Sequence, residues 1–238
     1  MIIDCIADLH GYRPYLPGGD MLIIAGDLTA RDTFPQLKEF FDWFEKLDYR
    51  KKILIGGNHD KFLQQCISSD IAEKMGIREE FHHEYLCDSG TEYEGLKIWG
   101  APWSKWFAGV NPFCDAFMFP SAQQMKDKWD LIPEDIDILV THTPAYRILD
   151  GERSPKHERR FGCHMLEDRL PALNNLKLHV FGHIHEGYGT QDTHRHCTSK
   201  ETFLSVNCAH MNVRYDPDNA PIRVEIKDGK ASVISPGI

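Results

Sequence analysis

The chain has 238 residues, 42% hydrophobic and 26% charged, the composition of an ordinary globular protein. A formal charge of −9 argues against stable binding to nucleic acid or to an anionic membrane, and no window approaches the roughly 18 apolar residues of a membrane span. The seven cysteines are scattered with no C-x-x-C pair, and the opening "MIIDCIADLHG" has neither a basic nor a long apolar leader region, so the expectation is a cytoplasmic protein with reduced thiols and a single domain over 1–238.

Short apolar, β-branched runs predict strands at 2–7, 21–26, 52–57, 96–101, 137–142, 176–183, 202–207, 222–226 and 231–235. Between the second and third, "TFPQLKEFFDWFEKL" (33–47) places Leu37, Phe40, Phe41, Phe44 and Leu47 at helical spacing. Thr33 and Gln36 there have the spacing of a capping box, and Pro35 suits a first turn. "KFLQQCISSDIAEKM" (61–75) predicts a second amphipathic helix, and Leu166 to Leu170 a third helical stretch. The order predicts an α/β fold with sheets packed face to face and helices outside. Two long irregular stretches, 102–121 and 143–162, are candidates for functional loops.

Metal-competent side chains stand at the ends of five of these strands. "IADLHG" delivers Asp8 and His10, "IAGDLT" delivers Asp27, "IGGNHD" delivers Asn58 and His59, "LVTHTP" delivers His142, and "VFGHIHEG" delivers His183 and His185. The C-terminal edge of such a sheet is where ligands bind. Each tripeptide alone is weak, but burying so many unpaired polar groups together would be destabilising without something to satisfy them. Mixed Asp, Asn and His ligation without thiolate suits Mn²⁺, Fe or Zn²⁺. Seven ligands exceed the needs of one ion and suit two sharing a bridging carboxylate, the arrangement used for in-line displacement at phosphorus.

This series, D-x-H, G-D, G-N-H-D, a strand-end His and G-H-x-H, resembles that of calcineurin-like metallophosphoesterases across residues 8 to 185. "GAPW" (100–103), "THTP" (141–144), "LHVFGHIHEGYG" (178–189), Asn207 and "YDPDNAPI" (215–222) are similar to stretches of the MPPED-type subgroup. The resemblance implies a four-layer sandwich of two mixed β-sheets flanked by helices, and hydrolysis of a small phosphoester by a hydroxide held between two divalent metals. Manganese is the first expectation, with iron, zinc or nickel as alternatives. Asp8, His10 and His185 are implied to hold one metal, Asn58, His142 and His183 the other, with Asp27 bridging and His59 as general acid. Asp60 is expected to orient a neighbour or cap the next helix.

The resemblance favours a phosphodiesterase acting on cyclic-nucleotide-like diesters. The alternatives are a phosphomonoesterase or serine/threonine protein phosphatase on the same site, and a non-catalytic scaffold of the same fold. Protein phosphatases of the superfamily carry G-D-x-x-D-R, whereas "GDLTARD" has Ala30 at the second Asp and Asp32 two residues late. Arg31, Arg147, Trp103 and Trp106 are weak candidates for contacting substrate. The basic run of 146–162 could draw in phosphate, and the aromatic stretch 102–120 is either a hydrophobic cluster or a wall on which a base stacks. His82, His83, His194, Arg195 and His196 are expected to be solvated loop residues. Cys163 and His164 open a helical stretch with no sign of a nucleophilic thiol.

Overall fold

A computed structural model describes residues 1–68, 84–107, 109, 112–153, 158–195 and 201–234. Strands β1 (Ile2–Ile6), β2 (Gly19–Ala25), β3 (Tyr49–Ile55) and β4 (Glu84–Tyr85) are parallel neighbours in one sheet. β15 (Ile222–Lys227) and β16 (Lys230–Val233) continue it antiparallel, giving the order β16-β15-β1-β2-β3-β4. A second sheet runs β13 (Gly189–His194), β14 (Thr202–Asn207), β12 (Leu178–Phe181), β9 (Ile138–Thr141), β6 (Leu96–Ala101), β5 (Ser89–Tyr93). Its four central strands are parallel and its two edges antiparallel.

Side-chain alternation along the strands builds the layers. Ile3, Cys5, Met21, Ile23, Ile53 and Ile55 of the first sheet meet Ile98, Ile138, Val140, Leu178, Val180 and Val206 of the second in a buried inter-sheet core. The opposite face of the first sheet, with Ile6, Leu22, Ile24 and Leu54, is covered by helices α1 (Phe34–Glu45) and α2 (Lys61–Ser68) through Leu37, Phe40, Phe41, Phe44 and Leu63. The outer face of the second sheet, with Leu139, Phe181 and Phe203, is covered by α3 (Ala122–Trp129) and α4 (His164–Arg169) through Met125, Trp129 and Leu166. This is the expected four-layer arrangement. Among the described residues no helix is long and apolar enough to cross a membrane.

Several local expectations need correction. Thr33 is the N-cap of α1 by position, with Pro35 in the first turn, but its side chain caps nothing, and Gln36 instead accepts from Arg31 N at 2.7 Å. The helix is secured at its other end, where buried Lys52 donates to the carbonyls of Phe44, Glu45 and Leu47 at 2.8, 2.9 and 3.1 Å. Residues 69–75 of the second predicted helix, and His82, His83, Lys156 and His196, lie outside the described residues. The irregular stretch 102–121 contains the paired strands β7 (Ser104–Lys105) and β8 (Met118–Phe119), and 143–162 contains the hairpin of β10 (Gly151–Arg153) and β11 (Glu158–Arg160).

His179 is fully buried on the outer face of β12 beside Phe181. Thr141 Oγ1 donates to Thr143 O at 2.7 Å, so it accepts from His179 Nε2–H at 2.8 Å, while Nδ1 has no partner. Burial pushes this imidazole down to about 3. The unfolded chain therefore takes up a proton below about pH 6.5 that the folded one refuses, and stability falls as pH drops from there towards 3. In metal-free protein, urea unfolding at pH 7 and pH 5 should show wild type losing about 2 kcal/mol more than His179→Leu over that interval. Parallel losses in the two proteins would show that His179 is not held neutral.

Candidate metal centre

β1, β2 and β3 end side by side in one sheet, and β9 and β12 end side by side in the other. Their C-terminal ends face one another, and every strand-end residue singled out above falls there. The two sheets come close because side chains are missing where they meet. A Cβ on Gly57, after β3, would lie 2.7 Å from the ring of His142, after β9, and one on Gly182, after β12, would lie 2.1 Å from Asp8 Oδ2, after β1. Asp8, His10, Asp27 and His183 all have left-handed backbone, with φ of 52°, 41°, 55° and 68°. That conformation is costly for side chains with a Cβ and recurs at functional sites.

Two fully or almost fully buried carboxylates anchor the cluster. Asp8 accepts from His183 N, at 3.1 Å to Oδ1 and 2.9 Å to Oδ2, and its Oδ1 lies 3.5 Å from His185 Nε2. Asp27 Oδ1 accepts from His59 N at 2.9 Å and lies 3.4 Å from His142 Nε2, while Oδ2 lies 3.6 Å from His10 Nε2. Burial alone would raise both carboxyls. His185 and His142 outweigh it at Asp8, and His142 and His59 outweigh it at Asp27, which sits well below the usual carboxylate range. Burial opposes a charge on His142 as well, but Asp27 outweighs it and pushes that imidazole up to about 9. Burial lowers His10, and burial followed by His142 pushes His183 down to about 3.

The remaining contacts aim lone pairs inward. His142 Nδ1 donates to Ala25 O at 2.8 Å and His185 Nδ1 to Asn212 O at 3.1 Å, which leaves both Nε2 atoms facing the carboxylates. Asn58 Nδ2 donates to Cys114 O at 3.0 Å, so Oδ1 turns to the cluster, 3.0 Å from His142 Nε2. His10 Nε2 is buried with no hydrogen-bond partner. Donor atoms of Asp8, His10 and His185, of Asp8, Asp27 and His142, and of His10, Asp27 and His59 each lie within 4.8 Å of one another. His142 and His183 rings stand 4.9 Å apart. An orphaned imidazole nitrogen, imidazole Nε2 atoms facing inward and two buried carboxylates fit hard or borderline divalent cations, which take the place of the protons there, and the residues present suit that load.

His59 is half-buried, its ring edge-on to His10 at 4.6 Å, and it lines a cavity of about 630 Å³ above the cluster. Asp60 is buried and does not cap α2 with its side chain. It accepts from Gly57 N at 2.8 Å and Leu28 N at 3.0 Å, tying the loop after β3 to the loop after β2. The N-terminus of α2 is instead met by Asp32, which accepts from Phe62 N at 2.8 and 2.9 Å. The carboxylate that stands late in "GDLTARD" thus has a structural task, and Ala30 is exposed.

The weak substrate candidates do not line the cavity. Arg31 and Arg147 are exposed elsewhere, the latter over the Tyr146 ring at 5.3 Å. Trp103 is a core residue. It donates to Asp88 Oδ1 at 2.6 Å and packs on Phe117 and Phe119 with Lys128 over its ring, so the hydrophobic-cluster reading holds for it. Trp106 is 40% exposed and outside the cavity. Arg160 pairs with buried Asp150 rather than facing the site. Arg195 is buried rather than solvated, and Cys163 accepts from Trp129 Nε1 at 3.3 Å in the core. Lys105, Phe161 and Tyr215 line the cavity without having been singled out in the sequence.

The family model for calcineurin-like phosphoesterases matches residues 1–187. Metallophosphoesterase domain-containing protein 1 of Homo sapiens is 34% identical over 246 residues, covering 93% of this chain and 70% of its own. A Caenorhabditis elegans protein is 32% identical, covering 93% of this chain and 59% of its own. The solved structure of TT1561 of Thermus thermophilus superposes with a TM-score of 0.59 at 14% identity, covering 98% and 97% of the two chains, a likeness of fold.

Elemental analysis after metal saturation and desalting should return two ions per chain. Gly182→Ala, whose added methyl collides with the Asp8 carboxylate, should lower that number, and so should Asp8→Asn, which keeps the shape of the side chain. A count of two in both variants would remove Asp8 from the cluster's donor set.

Proposed function

The chain belongs to the calcineurin-like phosphoesterase family, and on that premise we propose that it is a dinuclear metal-dependent phosphodiesterase acting on small diesters, cyclic nucleotides among them. Asp8, His10 and His185 would hold one cation and Asn58, His142 and His183 the other, with Asp27 between. Bound there, the cations would supply Lewis-acid activation of water and neutralise charge at the phosphoryl group. The human relative's name, a metallophosphoesterase-domain protein, supports the same reaction class.

The chain's own residues divide the remaining work. Asn58 offers a neutral oxygen, so it adds no negative charge to a site meant for an anion. The Ala25 and Asn212 carbonyls fix which nitrogen of His142 and His185 faces inward. His59 is assigned as general acid: its backbone is pinned to Asp27 while its ring is left to face the cavity.

The charge of the cavity carries the diester reading. Lys105 is the one Lys or Arg among the described residues lining it. A monoester dianion asks for more compensation than a diester monoanion, and phosphatases commonly meet that demand with added cations and an Asp behind the catalytic His. Here the Asp position is Ala30, and Asp32 is engaged with Phe62 N.

With Mn²⁺-loaded protein, kcat/KM for bis-p-nitrophenyl phosphate should exceed that for p-nitrophenyl phosphate. A clear preference for the monoester, or for a phosphopeptide, would make the enzyme a phosphatase instead. His59→Ala should lower kcat by about 10²–10⁴-fold with metal content unchanged, and by less for an activated leaving group. Asn58→Ala should lose metal affinity and recover activity in excess metal. Metal loss in His59→Ala with retention in Asn58→Ala would reverse the two roles.

A further inference from the structure

Phe107, Phe161 and Tyr215 are 54%, 54% and 55% exposed, yet all three line the cavity that contains Asn58, His59, His183 and His185. Single exposed rings scattered over a surface need no explanation, but three converging on one cavity from separate segments do. Phe107 follows β7, Phe161 follows β11, and Tyr215 lies in the loop between β14 and β15.

Tyr215 is the most firmly placed of the three. Its backbone is left-handed, φ 62°, where a bulky side chain is disfavoured. Asn212 holds it there: Tyr215 N donates to Asn212 O at 3.0 Å, and Asn212 Oδ1 accepts from Arg214 N and Asp216 N on either side. The ring stands edge-on to His185 at 4.9 Å and to His10 at 5.2 Å. One aromatic ring is therefore fixed directly beside the candidate metal ligands. Phe107 and Phe161 add apolar faces, and Lys105, two residues before Phe107, adds a positive charge to the same lining. At about 630 Å³ the cavity is far larger than a phosphoryl group alone requires and falls within the range of small-molecule sites.

We propose that Phe107, Phe161 and Tyr215 form a subsite for a planar aromatic group carried by the phosphoester, a nucleobase or an aryl ring, seated beside the metal cluster. Exposed aromatic faces are what flat, π-bearing groups stack against, and such contacts tolerate any ring of suitable size. Lys105 serves the anionic part of the same molecule. The proposal rests on the phosphoesterase reading and adds to it the chemistry of the group attached to phosphorus.

The test compares phenylphosphonate with methylphosphonate, which share a headgroup and differ by the ring, binding to Mn²⁺-loaded protein by calorimetric displacement. Wild type should favour the phenyl compound by about 10-fold, the weight of one aromatic stack. The Phe107→Ala/Phe161→Ala double variant should lose most of that preference while holding methylphosphonate as before, and that retained affinity shows the variant is folded. Phe107→Leu/Phe161→Leu, which keeps apolar bulk without a ring face, should lose it too. Equal wild-type affinity for the two compounds, or a preference that survives in a Phe107→Ala/Phe161→Ala/Tyr215→Leu variant, overturns the aromatic subsite. Failure of the loaded wild type to bind either phosphonate while it still hydrolyses bis-p-nitrophenyl phosphate overturns the subsite alone, and failure in both binding and hydrolysis overturns the phosphoester reading beneath it.

Discussion

The site depends on two β-sheets meeting at one edge with almost nothing between them. Elsewhere the sheets are held apart by a full layer of isoleucine, valine and leucine. At the C-terminal edge, Gly57 and Gly182 remove the side chains that would occupy the gap, and the His142 ring and the Asp8 carboxylate fill it. Larger residues at those glycines would push the sheets apart and separate the candidate ligands that follow β1, β2 and β3 from those that follow β9 and β12. A further link crosses the same gap, where His142 of the second sheet donates to the Ala25 carbonyl of the first.

Placing two carboxylates this deep is electrostatically expensive, and the surroundings show how it is offset. The backbone N–H groups of His59 and His183 point at them, and imidazoles stand on every open side. The left-handed turns at Asp8, His10, Asp27 and His183 are part of the same arrangement, because they turn the chain sharply at the strand ends so that side chains rather than backbone carbonyls face inward. Asp60 ties the turn at Asp27 to the loop after β3, and burial followed by Asp27 holds its carboxyl well above the usual range. The floor of the site is thus determined by strand geometry, whereas its walls come from loops that the sheets do not constrain.

That division also decides what was legible in the sequence. The candidate ligand residues sit at the ends of buried parallel strands, whose continuous apolar runs are easy to read, so the edge where they gather was legible. β5 and β13 escaped because they are antiparallel edge strands, half-exposed, with sequences such as "SGTEY" and "GTQDTH" that contain little apolar signal. α3 escaped because it buries only Met125 and Trp129, although Ser121, which accepts from Gln124 N, was a readable cap. The capping box at Thr33 had the right letters, but Gln36 found a different donor. The cavity walls were least legible. Phe161 looks like the end of a basic run, Tyr215 like part of a turn, and Trp103, the more conspicuous aromatic, is drawn into the core by Asp88 and Lys128.

The pairing of β1 with β15 has a consequence for the order of assembly. β1 lies between β2 and β15, and Ile2 is in register with Glu225 more than two hundred positions away. The Asn212 carbonyl that orients His185, and the bridge from Ala209 to Ala7 beside Asp8, come from the same late stretch of the sequence as β15. Asp8 and His10 leave the ribosome about two hundred residues ahead of the backbone that fixes their neighbours. A nascent chain therefore carries the candidate donor atoms long before it carries the backbone that fixes their geometry.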